Sequence, residues 1–518
     1  MTLDDFLALD FCNIADLIRH HAAERPAHPA LILGDDMLDY AQLDARVDRV
    51  AGAIAGAGIG KGDAIAICGV MCIDYLAIFL GALRAGVPVA PLAPGSTPAS
   101  LVTMANDAGA TVLFVDAAVA GTLEPLRDQI AARWIGFGDA TVAPGLDAWL
   151  ASSPSAPPPT VVEPQQPFNI IYSSGTTGSP KGIVQSHGMR WVQMQRAGTF
   201  GYVPGCITLV STPLYSNTTL VSVLPTLAMG GTCVLMPRFE ARGLLELAQR
   251  HRASHAMLVP VQYQRIMALP DFDRFDLSAF RFKFCTSAPF AAALKADIVR
   301  RWPGALIEYY GMTEGGGTCI LEAHLHTDRL GTVGCPAPGH DMRVIDEDGV
   351  ELPPGSIGEI VGHSAGMMNG YHNQLAKTAD AEWFDATGRR FIRTGDVGRF
   401  DADGFLTLMD RRKDMIISGG FNVYPSDLEG VVREHPQVLE VAVVGVPSER
   451  WGETPVAFVV PREGQAIDAE ALLDWANSRL GKMQRISAVE PIDVLPRSGI
   501  GKILKRELRD GYRATSTQ

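Results

Sequence analysis

The chain has 518 residues, which is too long for one ordinary hydrophobic core, so two or more domains are expected. Its composition, 47% hydrophobic and 19% charged, is typical of a soluble globular protein and excludes disordered and collagen-like chains. The formal net charge of −13 argues against a nucleic-acid-binding surface, because neutralising phosphates takes clustered Lys and Arg. A bound polyanion must therefore be met by local groups and not by a broad basic field.

Cysteine usage and the N-terminus favour a reducing cytoplasm. The eight cysteines are scattered without a CxxC pair, and most lie in apolar runs, where a buried free thiol is usual. The start, MTLDDFLALDF, lacks the basic residues and small-residue cleavage site of a signal peptide. The most apolar stretch, residues 220–236, is interrupted by Pro225 and by Gly230 and Gly231. It predicts a buried helix, a turn and a strand, and not a membrane span.

The first part of the chain predicts strands and helices in alternation. NIADLIRHHAAERP is an amphipathic helix capped by Asn13. The runs AIAIC (64–68), VPVAPL and TVLFVD (111–116) are strands, and DYLAIFLGALRAG is a buried helix that ends at Gly86. This alternation predicts a parallel sheet with helices on its faces. A proline-rich connector, residues 151–167, leads to the next strand.

A loop rich in glycine and hydroxyl residues, YSSGTTGSPKG (172–182), follows the predicted buried strand PFNII. Glycines let backbone N–H groups approach a ligand closely, hydroxyls add donors, and Lys181 adds a positive charge, which together suit the phosphates of a nucleotide. The loop is not a Walker A motif, because Pro180 precedes Lys181 and Gly182 follows it. On these residues alone, a flexible surface loop is the alternative.

Strands and helices continue to alternate after this loop. The predicted strands are CITLVST, TCVLM, HAMLVP, RFKFCTS and LIEYY (306–310), with helices such as RFEARGLLELAQRH between them. Residues 331–409 change to short strands with glycine or proline turns, typical of a small β-barrel or a distorted sheet. The C-terminal residues predict an α+β unit, which begins at the charged stretch 410–414. That stretch is either a solvated face or an interdomain hinge.

The predicted fold class is α/β. A large N-terminal domain, residues 1–412, has mixed sheets flanked by helices and a small β-barrel-like part. A small α+β C-terminal domain covers residues 413–518.

The stretch YYGMTEGGG (309–317) lies at the end of the predicted strand LIEYY, where open parallel sheets bind their ligands. Tyr310 offers a flat aromatic face, Thr313 a hydroxyl, and Glu314 a carboxylate suited to Mg²⁺. A nucleotide bound by the loop 172–182 needs all three kinds of group. The alternative is a polar turn stabilised by glycines.

Three further stretches lie nearer the C-terminus. RTGDVGRF (393–400) presents Asp396, whose carboxylate can accept hydrogen bonds from the two hydroxyls of a ribose. DRRKDMIISGGFNVYPSDLE (410–429) joins basic residues to a glycine pair, and PRSGIGKILKREL (496–508) places Lys502 after a glycine-flanked turn. Taken singly, a common Asp-Gly turn and a solvated lysine are the alternatives.

Together and in this order, these five stretches resemble the adenylate-forming superfamily of acyl-CoA synthetases, nonribosomal adenylation domains and luciferases, over essentially the whole chain. The resemblance implies ATP, Mg²⁺ and CoA as cofactors and a mobile C-terminal lid domain. Lys181 would handle the β- and γ-phosphates, Thr313 would contact the α-phosphate, and Lys502 would bridge it to the carboxylate. Glu314 would bind Mg²⁺, and Lys413 matches the hinge position.

The resemblance also implies which residues bind the cofactors. Tyr310 would lie against the adenine, and Asp396 and Arg411 would hold the ribose hydroxyls. The full set of implied cofactor-binding residues is Ser173, Ser174, Gly175, Thr176, Thr177, Gly178, Tyr310, Gly311, Asp396, Arg411, Gly419 and Gly420.

The implied reaction uses one site for two steps. The carboxylate of the acid attacks the α-phosphate of ATP, which gives an acyl-adenylate and pyrophosphate and makes AMP the leaving group. Mg²⁺, Thr313 and Lys502 would offset the charge on the phosphoryl oxygens. The small domain then rotates, so that Lys502 leaves and the face at Gly419 and Gly420 arrives, and a thiol attacks the adenylate.

CoA is the expected acyl acceptor. The stretch SGGFNVYPSDLE resembles the CoA-dependent synthetases more than the amino-acid adenylation domains, and no carrier module follows Lys502. Loading of a separate carrier protein in trans is the alternative. A second alternative is a non-catalytic nucleotide- or acyl-binding protein, which the retention of Lys181, Glu314, Asp396 and Lys502 argues against. Small molecules are the expected partners, and a homo-oligomer is left open.

The expected acid is bulky and apolar, either aryl or phenylpropenoic, or a medium-to-long fatty acid. Tyr215 is followed by Ser216, where many superfamily members have a histidine beside the acyl channel. No acidic residue lies in 216–227 to pair with the ammonium group of an amino acid. Glycines at 315–317 would leave space for a ring or chain. The expected pocket residues are Tyr215, Val261, Tyr263, Ser287, Ala288, Tyr309, Met312 and Gly316.

Overall fold

The computed structural model describes residues 1–142, 144–154, 156–173, 180–411, 414–418, 421–448, 450–481, 484–498 and 501–512. The helices are α1 (Leu3–Leu7), α2 (Ile14–Glu24), α3 (Tyr40–Gly56), α4 (Ile73–Arg84), α5 (Pro98–Asp107), α6 (Ala117–Leu123), α7 (Leu146–Ala151), α8 (His187–Gln195), α9 (Asn217–Ala228), α10 (Ala241–His251), α11 (Pro260–Met267), α12 (Ala292–Arg301), α13 (Leu375–Asp380), α14 (Pro425–Arg433), α15 (Ala469–Asn477) and α16 (Lys505–Gly511). The strands are β1 (Pro29–Leu33), β2 (Asp36–Asp39), β3 (Ala64–Cys68), β4 (Val89–Leu92), β5 (Ala110–Val115), β6 (Arg133–Gly136), β7 (Pro167–Ser173), β8 (Lys181–Ser186), β9 (Ile207–Val210), β10 (Thr232–Leu235), β11 (His255–Leu258), β12 (Phe282–Cys285), β13 (Ala305–Tyr310), β14 (Cys319–Glu322), β15 (Cys335–Pro336), β16 (Asp341–Ile345), β17 (Gly358–His363), β18 (Gly370–Tyr371), β19 (Glu382–Phe384), β20 (Arg390–Phe400), β21 (Leu406–Arg411), β22 (Ile416–Ser418), β23 (Phe421–Val423), β24 (Val438–Ser448), β25 (Gly452–Pro461) and β26 (Ala488–Pro491).

The chain divides into two compact units. Unit 1 contains Met1–Gly331, Pro336–Asp341 and Gly362–Ile392, and unit 2 contains Thr332–Cys335, Met342–Val361 and Arg393–Gln518. Parts of the short-strand region therefore group with the C-terminal residues. The predicted domain boundary at residues 412 and 413 differs from this division and stays a prediction.

Two sheets form most of unit 1. The first has the order β18-β8-β7-β4-β3-β5-β6, in which β7, β4, β3, β5 and β6 are parallel. The second contains the parallel series β13-β12-β11-β9-β10-β1, with β14 antiparallel beside β13 and β2 antiparallel beside β1. The parallel sheets predicted from alternating strands and helices are confirmed.

The apolar stretch at residues 220–236 folds as predicted. It contains most of α9, a turn at Gly230 and Gly231, and then β10. Nearly every residue of α9 is buried, because the helix packs against α2, α8 and strands of the second sheet. Throughout the part of the chain that the structure describes, no helix is long and apolar enough to cross a membrane.

Unit 2 contains the predicted α+β arrangement. The strand order is β23-β22-β25-β24, with β26 parallel beside β25. The helices α14 and α15 pack their apolar sides against this sheet, where Leu428, Val432 and Leu472 join the core. Farther back along the chain, β20 and β21 pair antiparallel.

Burial keeps His255 of β11 neutral. Its ring stacks between the rings of Tyr202 and Phe282, with centroid distances of 4.7 and 5.7 Å. Burial lowers the pKa of His255 to about 4. The pKa values of His21 and His187 are lowered to about 4 by the same cause. Since unfolded histidines take up a proton near pH 6.5, these three histidines bind more protons in the unfolded chain than in the folded chain between pH 4 and 6.5.

We expect the free energy of unfolding to fall as the pH drops from 6.5 to 4.5, because protonation favours the unfolded state over this window. The substitution His255→Gln removes one of the responsible groups. It should make the pH dependence shallower, by up to about 1.4 kcal/mol per pH unit. Urea unfolding at a series of pH values measures both slopes. Equal slopes in the variant and the parent would contradict the assignment.

Candidate active site

The parallel strands of the second sheet gather the predicted pocket residues at one edge. Tyr215 follows β9, Val261 follows β11, Ser287 and Ala288 follow β12, and Met312 follows β13. Because these strands are parallel, their carboxyl ends meet at the same edge of the sheet. The structure therefore brings these five residues to one region, and their contact with an acid stays a prediction.

Two other predicted pocket residues lie within aromatic clusters. Tyr309 stacks on Phe284, with ring centroids 5.7 Å apart, and meets Phe200 edge-on at 5.6 Å. Tyr263 is fully buried: its ring stacks on that of Phe290, and its hydroxyl donates to the carbonyl of Phe284 at 2.9 Å. The role of Tyr263 as a pocket residue stays a prediction.

Ser287 adopts a backbone conformation that favours glycine, with φ of +82°. Such a conformation costs energy in other residues and tends to persist at functional sites, where the surroundings hold it. Its hydroxyl lies 2.6 Å from the hydroxyl of Thr218 in α9. The strained turn after β12 is thereby tied to the start of α9.

Gly315 and Gly316 let two chain segments approach closely. A Cβ atom on Gly315 would lie 1.9 Å from the carbonyl oxygen of Gly366, and one on Gly316 would lie 2.9 Å from that of Gly362. Both glycines also have positive φ, at 76° and 80°. A side chain at either glycine would therefore meet backbone atoms, so the two positions need glycine for this close approach. The place of Gly316 in the pocket stays a prediction.

Tyr371 links two of the residues predicted to handle phosphate and Mg²⁺. Its hydroxyl donates to Glu314 Oε1 at 2.9 Å, and Lys181 Nζ lies 4.9 Å from the centre of its ring. Burial, together with the carboxylate of Glu314, raises the pKa of Tyr371 well above its usual value. Tyr371 therefore stays a hydrogen-bond donor, which orients the carboxylate of Glu314.

The charges of this group fit a metal-bound polyphosphate. Lys181 pairs with no carboxylate among the described residues, so its charge is available to phosphate oxygens. Glu314 keeps one carboxylate oxygen without a hydrogen-bond partner among the same residues. Within the described ranges, no three His, Cys, Asp or Glu residues come together as metal ligands. Mg²⁺ bound by Glu314 would therefore take its other ligands from phosphate and water, as Mg²⁺ usually does.

Gln185 holds the loop that carries Thr313. This residue is buried in β8, and its Nε2 donates to the backbone carbonyl of Thr313 at 2.7 Å. Sequence reasoning missed both Gln185 and Tyr371. The one available signal for Gln185 was a polar residue in the otherwise apolar run GIVQS, and Tyr371 stood in a short stretch with no clear periodicity.

The other described residues of unit 1 that are predicted to bind the nucleotide lie next to Lys181 or to the loop that carries Thr313 and Glu314. Ser173 is the last residue of β7 and pairs with Lys181 across the hairpin of β7 and β8. Tyr310 ends β13 opposite Cys319, and Gly311 follows it.

In unit 2, the predicted ribose-binding pair lies on adjacent strands. Asp396 of β20 is directly opposite Arg411 of β21 in the antiparallel register. The backbone N–H of Asp396 donates to the hydroxyl of Thr394 at 3.1 Å, and that hydroxyl donates to the carbonyl of Ile360 at 2.8 Å. The contact of Asp396 and Arg411 with a ribose stays a prediction.

Lys502, also in unit 2, lies on a short hairpin. Its N–H donates to the hydroxyl of Ser498 at 3.2 Å, and its carbonyl accepts from the N–H of Ser498 at 2.8 Å. Arg497 donates to the carbonyl of Gly501 at 2.8 Å and to Glu440 at 2.7 Å. The hairpin is therefore anchored to β24, which carries Glu440.

Several predicted site residues lie outside the described residues. They are Ser174, Gly175, Thr176, Thr177, Gly178, Lys413, Gly419, Gly420 and the side chain of Arg411. Their assigned roles stay predictions.

The fold is α/β, and predicted pocket and nucleotide-binding residues lie at the carboxyl edge of one of its parallel sheets. Residues 18–372 match the family described as AMP-binding enzyme, and residues 427–502 match the AMP-binding enzyme C-terminal domain. The chain belongs to this family.

Named relatives span nearly the whole chain. An indoleacetate–CoA ligase from Aromatoleum aromaticum is 32% identical over 513 residues, which cover 96% of this chain and 98% of that protein. A feruloyl-CoA synthase from an Amycolatopsis species is 35% identical over 490 residues, covering 93% of this chain and 96% of that protein. The crystal structure of ATP-bound MatB from Rhodopseudomonas palustris has a TM-score of 0.86 at 30% identity, covering 96% of this chain and 99% of that one.

These findings confirm the resemblance to the adenylate-forming superfamily. They also confirm the predicted fold class and the predicted enzyme class, an AMP-forming acid–thiol ligase that uses ATP, Mg²⁺ and CoA.

We expect Tyr371→Phe to raise the Mg²⁺ concentration needed for half-maximal activity by about tenfold, because Glu314 loses the hydroxyl that orients it. Steady-state kinetics at varied Mg²⁺ and fixed ATP measure this shift. Tyr40→Phe is the matched control, since it removes a buried hydroxyl bonded to the carbonyl of Leu227 in the helical core. It should cost about 1 kcal/mol of stability and leave the Mg²⁺ dependence unchanged. The same Mg²⁺ dependence in all three proteins would contradict the orienting role.

Proposed function

We propose that this chain converts an aromatic carboxylic acid, aryl or phenylpropenoic, to its CoA thioester by way of the acyl-adenylate. One observation carries the proposal. The loop after β13 holds Met312, a predicted pocket residue, beside Thr313 and Glu314, the groups predicted to meet the α-phosphate and Mg²⁺. An acid in this pocket therefore presents its carboxylate to the α-phosphate within the span of one loop.

An aromatic acid is favoured over a fatty acid on two grounds. The two relatives described above are named for indoleacetate and for ferulate, and both of these acids carry an aromatic ring. At the end of β13, Tyr309 belongs to an aromatic cluster, in which its ring stacks on Phe284 and meets Phe200 edge-on. Flat aromatic side chains of this kind pack well against a planar substrate.

The residues of the chain divide the work of the first step. Lys181 neutralises the β- and γ-phosphates and so favours departure of pyrophosphate. The hydroxyl of Thr313 donates to the α-phosphate, and Lys502 joins the α-phosphate and the attacking carboxylate, so that both offset the charge of the transition state. Bound Mg²⁺ supplies further charge neutralisation at the phosphate oxygens, and Glu314, oriented by Tyr371, is the residue that holds it.

The second step needs a thiol at the acyl carbon of the adenylate. CoA is the proposed donor of that thiol, and AMP leaves with the electrons of the broken acyl–oxygen bond. The proposal includes a cytoplasmic location. It is supported by the eight cysteines, which are all free thiols and mostly buried.

The test is mass spectrometry of the products from ATP, Mg²⁺, CoA and a panel of aryl, phenylpropenoic and fatty acids. A CoA thioester of an aromatic acid, formed together with AMP, is the expected result. A thioester formed only from fatty acids would overturn the choice of an aromatic acid. Accumulation of an acyl-adenylate without thioester would overturn CoA as acceptor and favour a carrier protein.

We expect Lys502→Ala to slow adenylate formation about a hundredfold or more while leaving ATP affinity within a few-fold of the parent. Pyrophosphate release measures the first quantity, and calorimetric titration with ATP measures the second. Arg506→Ala, in the exposed part of α16, is the control and should leave both unchanged. Equal losses of affinity and rate in Lys502→Ala would contradict a role in the transition state.

A further inference from the structure

Arg190 of α8 is a buried cation whose hydrogen-bond partners are neutral side-chain amides. Its side chain is 1% exposed, and none of its contacts within the described residues is with a carboxylate. The guanidinium donates to Gln185 Oε1, to Asn217 Oδ1 at 2.8 Å and to Gln193 Oε1 at 3.2 Å. Burial lowers the pKa of Arg190 to about 9, so the group is still charged at neutral pH. The guanidinium also lies over the ring of Phe168, with Cζ 5.6 Å from the ring centre. A buried charge held by neutral amides and an aromatic ring is costly, which points to a role beyond packing.

The charge of Arg190 fixes how two of these amides are oriented. A guanidinium only donates hydrogen bonds, so the atoms of Gln185 and Asn217 that face it must be their oxygens. The nitrogen of each amide then faces elsewhere. Gln185 Nε2 donates a hydrogen bond to the carbonyl of Thr313 at 2.7 Å. Asn217 Nδ2 has no acceptor within the described part of the chain.

Asn217 lies where the candidate pocket is assembled. It begins α9 directly after Ser216, at the edge of the sheet where β9 ends. Its neighbour Thr218 contacts Ser287, which follows β12. Gln185 lies between Asn217 and Thr313, because its Nε2 is 3.4 Å from Asn217 Oδ1 and 2.7 Å from the carbonyl oxygen of Thr313, which follows β13. Gln185 is fully buried, whereas Asn217 is only half-buried. The unused amide donor of Asn217 is therefore accessible at the edge that gathers the pocket residues.

We propose that Asn217, held in position by Arg190, donates a hydrogen bond to an oxygen of the acid substrate. That oxygen is either the carboxylate itself or a hydroxyl or alkoxy oxygen on the acyl group. The inference rests on the proposed function and gives the otherwise apolar pocket one polar, electropositive wall. A site built to donate a hydrogen bond discriminates strongly against an analogue that lacks the acceptor.

Replacement of Asn217 by aspartate separates this role from a structural one. An aspartate at this position keeps an oxygen for Arg190, gives that cation a buried counter-ion, and adds a negative charge to the first turn of α9. The variant Asn217→Asp should therefore be at least as stable as the parent. It also loses both amide donors and repels an anionic acid. A purely structural Asn217 predicts unchanged activity, whereas a substrate-binding Asn217 predicts a stable but impaired enzyme.

The experiment compares the parent, Asn217→Asp and Asn217→Leu with two acids, 4-hydroxy-3-methoxycinnamate and unsubstituted cinnamate. Steady-state kcat/KM for CoA thioester formation, calorimetric affinity for each acid and thermal unfolding are measured for every protein. Thr226→Val is the matched control. Thr226 lies farther along α9, and the substitution removes the buried hydrogen bond between its hydroxyl and that of Thr208 in β9. It should leave kcat/KM and affinity unchanged.

We expect both Asn217 variants to lose about tenfold or more in kcat/KM and in affinity for the acid. The unfolding temperature of Asn217→Asp should be no lower than that of the parent. If the loss is confined to 4-hydroxy-3-methoxycinnamate, the acceptor is a hydroxyl or methoxy oxygen on its ring. If the loss is equal with both acids, the acceptor is the carboxylate. Unchanged kcat/KM and affinity in both variants would overturn the inference. A parent that forms no thioester would defeat the proposed function instead, and the calorimetric affinities would still decide the role of Asn217.

Discussion

Residues 311–316, the loop that follows β13, are held in place from two directions. Gln185 of β8 donates to the carbonyl of Thr313, and the N–H of Met368 donates to that of Glu314 at 2.8 Å. Tyr371 fixes the side chain of Glu314, and Gly315 lets the loop lie directly against the backbone at Gly366. The backbone that carries Thr313 and the carboxylate of Glu314, the two groups proposed to meet the α-phosphate and Mg²⁺, are therefore positioned before any ligand binds. Preorganised groups of this kind need no rearrangement when charge develops in the transition state.

An acidic protein that binds a polyanion needs its positive charges in particular places. The chain carries a formal net charge of −13, so long-range attraction does not favour ATP. Lys181 supplies one local charge, and the ring of Tyr371 beside it supports its position without neutralising it. Arg190 is a separate, buried charge, which is held by the amides of Gln185 and Asn217. Because that charge is shielded from water, its field reaches the neighbouring amides with little screening.

Much of the fold could be predicted from the sequence because its signals are local. The alternation of apolar strands and helices specifies parallel sheets, and parallel sheets gather the ends of their strands. The positions of Tyr215, Ser287 and Met312 at one edge follow from that rule alone. The glycines at 230 and 231 likewise marked the turn between α9 and β10 within an apolar run that could otherwise suggest a membrane span, whereas Pro225 lies inside α9 and does not end it.

The partners within the site could not be predicted, because they depend on contacts between distant parts of the chain. Tyr371 reaches Glu314 because β18 pairs with β8, and the short run containing Tyr371 gives no sign of that pairing. Taken alone, Gln185 is a polar residue in a strand, and Arg190 is a charged residue in a helix. Only their mutual contact shows that one orients the other. The glycines at 315 and 316 suggested space for an acid, and nothing in the sequence indicated that a Cβ at either position would meet the backbone of Gly366 or Gly362.

Unit 2 presents its groups on a backbone that is already ordered. The hydrogen bonds between Ser498 and Lys502 close the hairpin locally, and the ion pair between Arg497 and Glu440 fixes the hairpin to β24. Asp396 is held by its register opposite Arg411, on a separate pair of strands. The backbone position of Lys502 therefore depends on the hairpin and on its anchor to β24.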